Sequence, residues 1–219
     1  MGIYLNPENV DFQEVLNSKI YVDKSELIQY TNSVLRTTQK YICVSRPRRF
    51  GKSMAANMLT AYYSRGCDSR GLFQGLKIAT HPDFEKHLNQ YNVIHLNMRD
   101  YLTESENMKQ LIQFVEDDLL DELQQEFSDL RMPRRKTLVK VLEQAFAQYK
   151  IPFVFIIDEW DCIFRVHKSD AASQKDYLDF LRNLLKDKSY IALAYMTGIL
   201  PIKKYGEHSA INVFYEYSM

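Results

Sequence analysis

The sequence predicts an α/β fold of three layers around a mainly parallel central sheet, and three observations carry that expectation. Four short runs, Tyr41–Ser45, Asn92–Asn97, Phe153–Ile157 and Tyr190–Met196, are apolar and rich in β-branched or aromatic residues, as strands covered on both faces must be. The stretches between them carry helical periodicity. Strands that alternate with helices then imply right-handed crossovers between parallel neighbours.

Taken in order, the strand at 41–45 runs through a short loop into a helix whose apolar positions include Met58 and Leu59. After the second strand, Met108, Leu111, Ile112, Val115, Leu119 and Leu123 recur at three- and four-residue steps. Leu138, Leu142, Ala145, Phe146 and Tyr149 repeat the pattern, with Thr137 expected as N-cap. Ser173 is expected to cap a further helix, whose stripe runs through Tyr177, Phe180, Leu181, Leu184 and Leu185.

Composition bounds the function. The chain has 219 residues, 46% of them hydrophobic, and 28 Lys and Arg balance 28 Asp and Glu. That length suits one domain with an ample core, read here as residues 1–219. Zero formal charge argues against a protein coated in basic surface for nucleic acid. Charge is nonetheless segregated: nine acidic residues and one Lys lie between Glu104 and Asp129, and five basic residues without an acid follow from Arg131 to Lys140. A solvated helix face followed by a basic turn accounts for this, and a docking surface for a partner is the alternative. The opening residues have no basic start followed by an apolar stretch, so no secretory leader is expected, and no apolar run reaches the roughly 20 residues of a membrane helix. Cys43, Cys67 and Cys162 are odd in number and lack paired spacing, which fits a cytoplasmic location and neither a disulfide framework nor a zinc site.

The chemistry begins at the end of the first strand. Ser45-Arg46-Pro47-Arg48-Arg49-Phe50-Gly51-Lys52-Ser53-Met54 places Gly-Lys-Ser between a strand and a helix, the context of a phosphate-binding loop. Unpaired N–H groups at the helix start, backed by the positive end of its dipole, attract phosphate. Gly51 allows close backbone approach, Lys52 supplies a point charge, and Ser53 offers a hydroxyl to Mg²⁺. Arg46 stands where the usual pattern has its first Gly, and Pro47 after it has no N–H to give.

The second motif is Phe153-Val154-Phe155-Ile156-Ile157-Asp158-Glu159-Trp160-Asp161, an apolar strand ending in two acids. Buried strands rarely end so without a reason, because an unpaired carboxylate there is costly. Asp158 is expected to hold Mg²⁺ and Glu159 to polarise an attacking water. Thr197, at the tip of the fourth strand, is expected near a γ-phosphate. Lys203 and Lys204 follow and could reach a nucleotide.

These residues resemble the predicted AAA-ATPase-like proteins of bacteria, P-loop NTPases of the AAA/ASCE-like kind with a catalytic glutamate. The matching elements are Tyr21-Val22-Asp23-Lys24-Ser25, the loop run 45–54, Leu72-Phe73-Gln74-Gly75-Leu76-Lys77-Ile78, Ile157-Asp158-Glu159-Trp160-Asp161 and Thr197-Gly198-Ile199. The Arg-Pro-Arg-Arg-Phe-Gly-Lys-Ser run is the most specific, and in that family an Arg at position 46 looks like the rule. The resemblance implies ATP binding and hydrolysis, the phosphate-loop strand at the centre of the sheet, and residues 1–40 packed with Asp23-Lys24 near the nucleotide. Similar proteins usually continue into a helical lid and often a PD-(D/E)XK-type nuclease domain. This sequence stops at Glu216-Tyr217-Ser218-Met219, about where the resemblance implies that a fifth strand finishes, so a lid is expected to be missing and no nuclease activity is expected of it.

The leading expectation is therefore a Mg²⁺-dependent ATPase core: Glu159, Lys52 and Thr197 catalytic, Arg48, Arg49, Phe50, Gly51, Lys52, Ser53 and Met54 around the nucleotide, Ser53 and Asp158 on the metal. ATP and Mg²⁺ are the expected cofactors, with a protein partner or a second copy of the chain as further expected associations and no membrane. A nucleotide-dependent switch without turnover is the first alternative. A nucleic-acid-binding module using Arg131, Arg134, Arg135 and Lys136 is the second.

Overall fold

The four apolar runs all become neighbours in one sheet. In a computed structural model of the protein, which describes residues 2–202 and 211–217, the elements follow in the order α1 (Val10–Leu16), α2 (Glu26–Val34), β1 (Tyr41–Ser45), α3 (Lys52–Tyr63), α4 (Arg70–Phe73), α5 (Phe84–His87), β2 (Asn92–Asn97), α6 (Met98–Glu104), α7 (Met108–Glu126), α8 (Leu138–Tyr149), β3 (Phe153–Asp158), α9 (Cys162–Val166), α10 (Ala171–Leu185), β4 (Ile191–Gly198) and β5 (Tyr215–Tyr217). A 3₁₀ turn covers Lys77–Thr80. The strand order is β2-β3-β4-β1-β5, and every pairing is parallel.

Alternation along the strands feeds two apolar cores, one per face. Tyr41, Cys43, Ile94, Leu96, Phe153, Phe155 and Ile157 meet the stripes of α7, α8 and α10 on one side. Ile42, Val44, Val93, Val154, Ile156 and Tyr195 meet α3 and the tyrosine-rich layer around Tyr62 and Tyr63 on the other. The result is the three-layer α/β arrangement the sequence predicts. The pairing of β3 with β4 slips between Phe153 and Val154, and Ala192 and Leu193 consequently both join the α3-side core.

Element ends differ from expectation in instructive ways. β3 runs one residue further, to Asp158, and β4 begins at Ile191 and extends through Thr197 and Gly198, which pair with Val44 and Ser45. The last long helix starts before Ser173: Asp170 is its cap, accepting from the Ser173 N–H at 3.0 Å and from the Ser173 hydroxyl at 2.7 Å. Thr137 does occupy the N-cap position of α8, but its side chain makes no cap hydrogen bond. α7 continues past Leu123 to Glu126.

The β2 edge is covered by the start of the chain. Leu5 bridges Ile94 in antiparallel fashion, and Glu122 on α7 accepts the N–H groups of Ile3, Tyr4 and Leu5 at 2.7, 3.0 and 2.6 Å. That cover satisfies a strand edge that would otherwise be open to pairing. Arg131, Arg134, Arg135 and Lys136 are exposed on the loop between α7 and α8. No helix among the described residues is long and apolar enough to cross a membrane.

Candidate functional site

β1 lies between β4 and the edge strand β5, one place off the centre expected for the phosphate-loop strand, because β4 takes the middle of the sheet; from its end the chain turns through residues 46–51 into α3. Gly51 makes that turn: its φ of +77° is the left-handed region that glycine adopts at no steric penalty. A Cβ there would also lie 3.1 Å from Lys24 Nζ, which donates to the Phe50 carbonyl at 3.1 Å. No side chain caps α3, so its first N–H groups face the loop's mouth. Lys52 is 9% exposed, and its Nζ donates to the Pro47 carbonyl at 3.1 Å, folding the ammonium over the loop.

Arg46 explains how a bulky residue replaces the usual glycine. Its N–H bonds the Gly198 carbonyl at 2.9 Å, tying the loop to β4, while its guanidinium lies 5.8 Å from the Phe50 ring centroid.

The acidic tip of β3 faces the loop across β4. Asp158 accepts the Ser53 hydroxyl on Oδ2 and the Thr197 hydroxyl on Oδ1, which also takes the Glu159 N–H at 2.9 Å. One buried carboxylate thus gathers hydroxyls from α3 and β4. Oδ2 and the Ser53 hydroxyl form a hard-oxygen pair suited to Mg²⁺, which binds through one or two carboxylates and takes its remaining ligands from phosphate and water. No group of three or more His, Cys, Asp or Glu able to hold a metal occurs among the described residues.

Beyond Asp158 the backbone is strained. Glu159 sits at φ +54°, a region non-glycine residues rarely occupy. Its carboxylate pairs with Arg165 of α9, and Arg165 Nε stands 3.1 Å from Asp161 Oδ2. The latter is a charge contact rather than a directed hydrogen bond, because Arg165 Nε has no hydrogen-bond partner. Asp161 is fully buried, and its Oδ2 accepts from Ile199 N at 3.1 Å and Leu200 N at 2.9 Å. Gly198 is required by close approach: an added Cβ would fall 2.6 Å from Trp160 Nε1 and 2.7 Å from Asp161 Oδ1. Among the described residues, the buried side-chain polar atoms without a partner are Arg46 Nε, Trp160 Nε1, Asp161 Oδ1 and Arg165 Nε, all on the loop or the segment after β3. Native proteins tolerate few such atoms, and these gather around the loop and the tip of β3.

Two cavities flank the loop. One of about 450 Å³ lies between Leu27, Tyr30, Val44, Phe50, Lys52 and Tyr217. The other, of about 340 Å³, is bordered by Ile20, Val22, Arg49, Met54 and Met58. Ile20, Val22 and Phe50 are 84%, 63% and 52% exposed, an apolar rim beside charged residues. The Tyr21–Ser25 segment is held there by Asp23, which accepts the N–H groups of Ser25 and Lys77, each at 2.8 Å, while Ser25 Oγ accepts from Ile78 N at 3.1 Å. Partial burial pushes the Asp23 carboxyl up, but those hydrogen bonds outweigh it and hold it below its ordinary value. Burial lowers His95, which lies beneath α3 with its Nδ1 3.2 Å from the Thr60 hydroxyl, despite the opposing pull of Asp158.

The expected residues therefore divide. Gly51, Lys52, Ser53, Asp158 and Thr197 converge, with Glu159 beside them but turned to Arg165. Arg48, Arg49, Phe50 and Met54 are exposed around the loop's rim. Of residues 1–40, the stretch at 20–24 reaches the loop, whereas residues 2–6 lie along β2. Lys203 and Lys204 lie outside the described residues. Arg165 is not anticipated by the motif reading, although its i,i+4 spacing from Asp161 on a helix start was a visible signal.

A family model described as Predicted AAA-ATPase matches residues 10–206. No curated protein matches the chain. Among solved structures, the crystal structure of Cdc6p from Pyrobaculum aerophilum is similar at a TM-score of 0.37 and 15% identity, over 89% of this chain and 44% of that one. The chain spans less than half of that protein's length.

Proposed function

The chain belongs to the Predicted AAA-ATPase family, and from that premise we propose that it is a Mg²⁺-dependent ATP-binding domain that hydrolyses ATP. One observation carries the reading: the hydroxyls of Ser53 and Thr197 converge on Asp158 next to the uncapped start of α3. Lys52 and the α3 amides clamp the phosphates, with Lys52 exchanging the Pro47 carbonyl for a phosphate oxygen. Ser53 and Asp158 hold Mg²⁺, which when bound offsets phosphate charge. Thr197 reports the γ-phosphate from the tip of β4. Glu159 orients the attacking water once its carboxylate is free. Arg48, Arg49 and Lys24 add positive charge at the rim, and Phe50, Met54, Ile20 and Val22 supply an apolar surface beside it for the base. The whole chain then acts as one nucleotide-binding domain, with residues 20–24 at the nucleotide.

ATP titration with and without Mg²⁺ tests this. Lys52→Ala should weaken binding roughly 10- to 100-fold, the loss of one charge-assisted contact. Glu159→Gln should keep binding and abolish turnover. Binding that ignores Lys52 would overturn the reading. The pairing of Glu159 with Arg165 favours a second reading, a nucleotide-dependent switch with little turnover, under which Glu159→Gln changes little.

A further inference from the structure

At the strand tips one guanidinium faces two carboxylates. Arg165, 16% exposed, is paired with Glu159, 21% exposed, and touches the fully buried Asp161. Arg165 Nη2 donates to Glu159 Oε2, and a carboxylate oxygen held by a guanidinium is a weaker acceptor for an attacking water than a free one. Glu159 itself sits in the left-handed region of backbone space.

An alternative partner already lies alongside. Arg165 Nε is a buried donor without a hydrogen bond, and Asp161 Oδ1 is a buried acceptor without one. The two residues sit four apart at the start of α9, so a small rotation of the Arg165 side chain would satisfy both. Asp161 is in turn bound, through Oδ2, to the N–H groups of Ile199 and Leu200, the residues that follow Thr197 and Gly198. Movement of the β4 tip therefore changes what Asp161 can offer Arg165. Thr197 and Glu159 thus lie at the two ends of one connected set of contacts.

We propose that Arg165 is a positioning residue that parks Glu159 in the resting chain and releases it by shifting onto Asp161 when the β4 tip moves. This rests on the ATPase reading above and names the regulation of the same site.

Arg165→Gln and Arg165→Lys test it, with three readouts: carbodiimide labelling of Glu159 in nucleotide-free protein followed by peptide mass spectrometry, the dissociation constant for ATP, and kcat. Both variants should expose Glu159 to labelling and raise kcat roughly 5-fold or more, the lower end of typical coupling between linked states, with ATP affinity unchanged. Asp161→Asn, which weakens the alternative partner, should lower kcat and keep Glu159 protected. If Arg165→Gln fails to fold, Arg165→Lys keeps a charge beside Asp161 and carries the same test. Equal labelling of Glu159 in wild type and variants, or kcat unchanged or reduced in a variant that still binds ATP, overturns the proposal. Labelling that rises in the variants while ATP binding ignores Lys52 sinks the ATPase reading itself, and the regulatory role with it.

Discussion

The body and the tip of β3 follow different rules within one strand. From Phe153 to Ile157 every residue is fully buried, side chains alternate between the two cores, and register with β2 is unbroken. From Asp158 onward the chain carries a positive φ, a carboxylate shared by two hydroxyls, and three of the four buried polar atoms left without partners among the described residues. The body stabilises by apolar burial and close packing. The tip holds strain and unsatisfied polarity that only the rest of the fold keeps in place.

The contrast can be broken by substitution. Phe155→Ala, in the body, should lose about 3–5 kcal/mol in urea unfolding, because a buried ring leaves a cavity between strand and helices. A loss comparable to that of a surface residue would show the core to be less tightly built than its burial implies. Gly198→Ala, at the tip of β4, should lose roughly 1–3 kcal/mol, since Trp160 and Asp161 must shift to admit a methyl group. It should also weaken ATP binding, which Phe155→Ala, if folded, should not. Glu159→Gly reverses the sign: relief of the left-handed backbone should raise stability by less than about 1 kcal/mol while ATP hydrolysis is lost. A drop in stability instead would mean that the pair with Arg165 outweighs the strain.

Much of the molecule was legible in the sequence, for local reasons. The run Tyr41–Ser45 and the run Asn92–Asn97 match their strands residue for residue, because strands covered on both faces show themselves as short, mainly apolar segments with polar residues confined to a few positions. Ser173 misled because a serine three residues after Asp170 reads as a cap, whereas the aspartate behind it is the better acceptor. Gly51-Lys52-Ser53 and Asp158-Glu159 were visible as motifs. Their meeting was an inference from order alone.

The sequence by itself determined the elements, their alternation and the residue types available at each strand end, since periodicity and turn chemistry act over a few residues. Only the tertiary structure decided which of those residues touch. Ser53 and Asp158 are 105 residues apart, and Thr197 lies 39 beyond Asp158; they meet because β4 inserts between β1 and β3. The same insertion sets Asp161 under Ile199 and Leu200. Strand order is fixed by how whole faces bury against each other, and no local pattern along the chain encodes it.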